Sequence, residues 1–185
     1  YFAQVDGNGT VSVDGSTLTV TPSLDFNGDI LVSVTVSDSQ ASDSGSFTLV
    51  VTSVNDAPVI STIPDQTINE DESITIDLFA SDVDGDSLTF SATADSGTVS
   101  VDGSTLTVTP DADYNGSIAV DVSVTDGSES VFTSFTLTVN PVNDAPVLGD
   151  LADGATDEDT SFSVDLTASD VDGDALSYFA QVDGD

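Results

Sequence analysis

Asp82, Asp84 and Asp86 occupy every second position of SDVDGDSLTF, residues 81–90, with Gly85 between the last two. Alternate side chains of an extended turn project to the same side, so Asp82 and Asp84 can converge on one cation while Gly85 permits the bend. Asp86 either joins them or caps the turn, and the plainer alternative for the whole stretch is a solvated acidic hairpin. SDVDGD recurs at 169–174, with Asp170, Asp172 and Asp174 in the corresponding places.

No side chain can neutralise these groups. The chain has no lysine, arginine or histidine against 34 carboxylates, a formal net charge of -34. Each ionised carboxylate must therefore be solvated, accept hydrogen bonds from N–H or hydroxyl groups, or coordinate a cation. Calcium takes about 6 to 8 hard oxygen ligands, which Asp, Asn and backbone carbonyls supply; zinc, copper and iron are poorly served without Cys or His. The same charge excludes nucleic acid and anionic lipid as partners, because both are recognised through Lys and Arg clusters.

The elements that must position these residues are strands. Apolar residues make up 38% of the chain and alternate with Thr and Ser, which separates it from acidic disordered sequence. SITIDLFA (73–80) puts Ile74, Ile76 and Leu78 on one face, and SIAVDVSV (117–124) does the same with Ile118, Val120, Val122 and Val124. FTSFTLTV (132–139) reads as a long last strand with Phe135, Leu137 and Val139 inward, before Pro141 and Pro146. Asp102-Gly103 predicts a tight hairpin and Asn115-Gly116 a turn into the next strand, with counterparts at Asp14-Gly15 and Asn27-Gly28. No cysteine is available for disulfides, and no apolar run approaches the roughly 18 residues of a membrane span, so no membrane insertion is expected.

The pattern repeats. VNDAPV at 54–59 and 142–147, SDVDGD at 81–86 and 169–174, and VDGSTLTVTP at 13–22 and 101–110 are each offset by 88 residues. That spacing predicts the last part of one repeat (1–53), one complete repeat (54–141) and the first part of a third (142–185). Each complete unit has room for about seven short strands and no helix, which predicts an all-β fold of tandem immunoglobulin-like Greek-key sandwiches. The chain contains no methionine, signal peptide or sorting motif and starts and stops at the same phase of the repeat, so it reads as cut from something longer.

INEDESITIDLFASDVDGDSLTF (68–90), taken with VNDAPV, resembles the calcium-binding motifs of cadherin repeats. More closely, the unit resembles the cadherin-like tandem repeats of giant bacterial surface adhesins and RTX-type repetitive extracellular proteins. The resemblance covers the whole chain and implies calcium at each junction between successive repeats. At the first junction it implies Asp25 from the earlier repeat, Asn55 and Asp56 of the linker, Asp82 and Asp84 of the later repeat, and Asp126 from VTDG. At the second it implies Glu70 and Asp113, then Asn143 and Asp144, then Asp170 and Asp172. Glu158 and Asp38 would serve junctions beyond these, and Asp86 and Asp174 join as ligands or only cap their turns.

Two departures bear on the ion count. The linker reads NDAP instead of a longer asparagine-rich form, and DFNG or DYNG lacks the usual glutamate, which suits one or two ions per junction. Solvated turns and edge carboxylates are the simpler reading of Asp25, Asp113, Asp56, Asp144, Glu70 and Glu158.

The function expected is a calcium-stiffened spacer in an adhesin stalk or surface fibre, extracellular on a bacterial surface, serving adhesion or biofilm. Its partners are neighbouring repeats of the same chain and, laterally, the same protein. In the competing reading the repeats themselves bind, either glycans through Asp, Asn and calcium, with Tyr114 and Phe26 as the best aromatic platform, or each other laterally in a fibre or matrix. An enzyme reading is disfavoured, because paired acid/base carboxylates need raised pKa values in an apolar cleft, whereas these sit in turns copied from repeat to repeat.

Overall fold

The computed structural model describes residues 1–182, and residues 183–185 lie outside the described residues. Every assigned element is a strand. The first segment folds as β1 (Phe2–Val5), β2 (Gly9–Asp14), β3 (Thr17–Pro22), β4 (Gly28–Ser37) and β5 (Ser42–Val51). The middle one follows as β6 (Val59–Ile60), β7 (Gln66–Asn69), β8 (Ile74–Asp77), β9 (Ala80–Ser81), β10 (Thr89–Ala94), β11 (Thr98–Asp102), β12 (Thr105–Thr109), β13 (Gly116–Thr125) and β14 (Ser130–Asn140). Last come β15 (Val147–Leu148) and β16 (Ala168–Ser169). Among the described residues no helix is long and apolar enough to cross a membrane.

Two compact units divide the chain. Unit one comprises Tyr1–Ser61, Phe79–Phe90 and Ser123–Phe132; unit two comprises Thr62–Leu78, Ser91–Val122 and the chain from Thr133 onward.

In unit one, β4 is central to the antiparallel order β1-β4-β5, and β2 pairs with β3 as a separate ribbon. Its buried apolar side chains include Ile30 and Val32 of β4, and Val124. In unit two, β12 lies between β11 and β8, while β7 pairs in parallel with the end of β14 in the sheet order β10-β13-β14-β7. Period-two alternation fills its core as expected: Leu106 and Val108 from β12, Ile118, Val120 and Val122 from β13, and Phe135, Leu137 and Val139 from β14 are all buried.

Two local expectations change. SITIDLFA is not one strand: β8 ends at Asp77, buried Leu78 donates its N–H to the Ser104 carbonyl at 2.7 Å, and Ala80-Ser81 form β9 against β6. The break lets Leu78 enter the core while Phe79 turns out to solvent. The hairpin loop is Gly103-Ser104 instead of Asp102-Gly103, because Asp102 still pairs with Thr105. Gly103 comes first in the loop at φ 60°, a conformation that suits a two-residue connection between right-twisted strands.

Gly97 joins β10 to β11 at φ 75°, and a Cβ there would meet the Thr109 carbonyl oxygen at 2.5 Å and Pro110 Cα at 2.8 Å. Both obstacles are backbone. Gly97→Ala is therefore expected to destabilise the fold by more than about 1 kcal/mol, read as a lower urea midpoint with an unchanged slope.

Candidate metal sites

In unit two, Glu70 follows β7 and is 4% exposed, a buried carboxylate in a chain without a basic side chain. It accepts from the Val142 N–H and, through Oε2, from Asn115 Nδ2 at 3.5 Å. Carboxylate oxygens of Glu70, Asp144 and Asp172 lie within 4.8 Å of one another, as do those of Asp71, Asp113 and Asp144. Asp144 belongs to both groups. Its N–H donates to Asp172 Oδ2 at 2.7 Å, and the Asp113 N–H donates to Asp71 Oδ1 at 3.3 Å.

Backbone geometry aims these groups. Asp71 and Asp113 hold φ of 63° and 56°, and Asp25 repeats the latter at 57°. Asp tolerates this left-handed region better than most residues. After Asp113, the Tyr114 hydroxyl donates to the Ser117 carbonyl at 3.0 Å and the ring covers Gly116.

In unit one, oxygens of Asp82, Asp84 and Asp86 lie within 4.8 Å of one another. Asp82 Oδ1 accepts from the N–H groups of Asp84 and Asp86 at 2.9 and 3.2 Å, so Asp82, not Asp86, caps the turn. The linker joins them: the Asp56 N–H donates to Asp84 Oδ2 at 2.8 Å, and Asp25, Asp56 and Asp84 line one open cleft.

Electrostatics point the same way in both units. Desolvation, then the neighbouring carboxylates Asp25, Asp84 and Asp82, hold the Asp56 carboxyl above its ordinary value. Asp144 is raised likewise, by desolvation first and then by Asp113, Asp172, Asp71 and Glu70. Asp82 Oδ2 and Asp144 Oδ2 are buried with no hydrogen-bond partner. An orphaned, desolvated carboxylate oxygen facing other carboxylates is unfavourable unless a cation joins it, and the all-oxygen donor set fits calcium.

The other candidate residues carry hydrogen bonds within their own turns. Asp126 Oδ1 accepts from the N–H groups of Ser128 and Glu129, both at 2.6 Å, and Oδ2 accepts from Asn55 Nδ2 at 2.9 Å. Asp38, its counterpart one repeat earlier, accepts from the N–H groups of Gln40 and Ala41. Both are turn caps. Asn55 and Asn143 donate to the carbonyls of Asp56 and Asp144, which fixes the linker turns. Asp170 Oδ1 accepts from the Asp174 N–H at 3.1 Å and stands with Asn143, Asp144 and Asp174 around a cleft. Glu158 is exposed and is in none of these carboxylate groups.

Asp71 is the residue that the sequence reading missed. Its signal was available, since Glu70-Asp71 recurs as Glu158-Asp159, and Asp159 has a matching φ of 62°.

The shifts set a pH dependence. Hydrogen bonds from Ala41 and Gln40 lower Asp38; the Glu129 N–H, then the Asn55 amide and the Ser128 N–H, lower Asp126. Those two contribute stability above the ordinary aspartate pKa and lose it as pH falls. Asp56 and Asp144, being raised, lose stability as pH rises through their folded values. In chelator, raising the pH from about 4 to about 6, across and above the ordinary aspartate value, is expected to lower the unfolding midpoint more in the wild type than in Asp56→Asn/Asp144→Asn.

Residues 55–140 match the family model described as a bacterial Ig domain. Chitinase A of Pseudoalteromonas piscicida is 33% identical over 129 residues, 67% of this chain, and the match spans 16% of that protein. Among solved structures, human mucin-like protocadherin EC1-2 aligns with a TM-score of 0.50 at 16% identity, over 76% of this chain and 84% of that one. Drosophila N-cadherin EC1-3 gives 0.42 at 14% identity, over 75% and 53%. With the all-strand topology, the family match and the protocadherin alignment identify an immunoglobulin-like, cadherin-like β-sandwich.

Proposed function

We propose that the chain is a calcium-stiffened spacer from a long extracellular bacterial protein, of the kind that forms an adhesin stalk or surface fibre and serves adhesion or biofilm. The observation that carries this reading is the pair of buried, unpartnered oxygens, Asp82 Oδ2 and Asp144 Oδ2, each inside a carboxylate cluster that also receives linker residues.

Asp25, Asp56, Asp82 and Asp84 would hold one site; Glu70, Asp71, Asp113, Asp144 and Asp172 would hold one or two more. Bound calcium supplies the positive charge that this chain's own side chains lack. Without it the grouped carboxylates repel, and the short linkers carrying Asp56 and Asp144 lose their preferred path. Asn55, Asn143, Asp126 and Asp170 hold the turns that present the ligands. Sites of this kind with modest affinity suit extracellular, millimolar calcium.

The match to chitinase A supports a second setting for the same role, a spacer within a chitinase. Direct glycan binding has less support, because Tyr114 and Phe26 are half-buried and pack over Gly116 and Gly28. Isothermal titration of the full chain with calcium and magnesium tests the proposal. Two or more calcium equivalents with weak or no magnesium heat are expected, and no calcium binding at millimolar concentration would overturn it.

A further inference from the structure

A chain with a formal net charge of -34 repels copies of itself, so two copies come together most readily where carboxylates are absent. Strand β10 is such a place. It is outermost in the order β10-β13-β14-β7 of the complete repeat, and its six residues, TFSATA, include no charged group, proline or glycine. The other outer strands of that repeat are guarded. β7 is four residues long and lies between Asp65 and Glu70, β8 and β11 end in Asp77 and Asp102, and β6 and β9 have two residues each. Natural sheet edges are blunted by charge, proline, bulges or shortness, and TFSATA has none of these.

The carboxylate that follows β10 is tied to β13 instead of the open side. The Asp95 N–H donates to the Ala119 carbonyl at 3.2 Å, and Asp95 Oδ1 accepts from the Ala119 N–H at 2.9 Å. Backbone polar groups alternate sides along a strand. Thr93 and Ser91 therefore direct theirs to β13, as Asp95 does, while Ala94, Ala92 and Phe90 direct theirs to the open side. The side chains of Phe90, Ala92 and Ala94 are half-buried, and those of Thr89, Ser91 and Thr93 are exposed. The first segment repeats the pattern. Asp6 Oδ2 accepts from the N–H of Leu31, the residue 88 before Ala119, and β1, which precedes Asp6, reads FAQV, again without charge.

We propose that two copies of this chain pair edge to edge through β10, antiparallel about a two-fold axis at Ala92. Ala92 then lies opposite Ala92 of the second copy and Phe90 opposite Ala94, with their outward N–H and carbonyl groups bonded reciprocally, and Ser91 lies opposite Thr93 on the exposed face. The contact is isologous, matching one patch with itself. Charge points to a second copy as the occupant. A cationic partner would be drawn to the carboxylates that the chain carries elsewhere, whereas an uncharged strand suits another uncharged strand. One short strand per repeat makes each contact weak, and a tandem array adds such contacts together. The inference extends the proposed function to lateral assembly, but it rests on edge-strand chemistry and not on bound calcium.

The test uses the full chain carrying Ala92→Cys, which has no other cysteine. Residues opposed across the two-fold lie within disulfide reach. Oxidation at physiological ionic strength, in calcium and separately in chelator, is expected to give a covalent dimer at least about tenfold faster than Ser100→Cys, an exposed position on β11 that the axis does not bring opposite itself. By light scattering, the mass of the unmodified chain should rise with concentration, and that of Ala92→Pro should not. The Ala92 N–H faces the open side, so proline there removes the pairing between copies and leaves the β13 hydrogen bonds in place. Equal oxidation of the two cysteine variants, or a monomeric mass for the unmodified chain at every concentration, would overturn the proposal, as would association that survives Ala92→Pro. A dimer in chelator alongside failed calcium titration would sink the calcium reading and leave this one standing.

Discussion

Asp144→Asn is expected to destabilise the protein in calcium and to stabilise it in chelator. The sign reversal follows from the position of Asp144. Its carboxylate is shared by both clusters of unit two, so removing one charge costs ligand strength at each, and calcium affinity there should fall by at least about tenfold. Without calcium the same change relieves a carboxyl that is desolvated and faces Asp113, Asp172, Asp71 and Glu70. Asparagine keeps the shape and the backbone N–H that donates to Asp172. Paired unfolding curves of wild type and variant, with and without calcium, check it. Destabilisation of equal size in both conditions would mean that Asp144 serves only the turn.

Leu137→Ala is expected to cost about 3 kcal/mol, within the range of about 2–5 kcal/mol seen for buried leucines. Leu137 is fully buried in β14 and pairs with Gln66 of β7, and close packing leaves its neighbours little room to relax into the void. Against a total of about 5–15 kcal/mol for a domain, this is a large fraction. Leu49→Ala, the same substitution one repeat earlier, should cost half as much or less, because Leu49 is half-exposed on β5 beside an open edge. Urea midpoints of the two variants measure the difference.

Much of this was legible in the residues. Period-two alternation in SIAVDVSV and FTSFTLTV put the right side chains inward, because a strand's faces are fixed by its pleat. The acidic motifs recur at an offset of 88 residues, and in the structure Asp56 lies with Asp84 and Glu70 with Asp144 and Asp172.

The rest depends on three-dimensional pairing. The break after Asp77 arises because Leu78 and Ala80 serve different neighbours, Ser104 of the hairpin loop and β6, which alternation along one strand does not reveal. The hydrogen bonds that Asp126 accepts from two N–H groups of its own turn and from Asn55 follow from the folded turn and not from the spacing of VTDG. Asp71 was passed over because its left-handed backbone, which turns it toward Asp113, leaves no mark on the sequence beyond the Glu-Asp pair.

Calcium binding at the linkers is tested most directly by thermal unfolding of the full chain in calcium, in magnesium and in chelator at matched ionic strength, since plain salt also screens the charge. One ion at about one hundred times its Kd adds about 2.7 kcal/mol. For a chain of this length that corresponds to a rise in Tm of about 5–10 °C per ion. Magnesium, which holds its water more tightly and demands a stricter geometry, should give a much smaller rise. The result predicted is a large, calcium-specific increase; identical midpoints in all three solutions would contradict it and leave the clusters as solvated acidic turns.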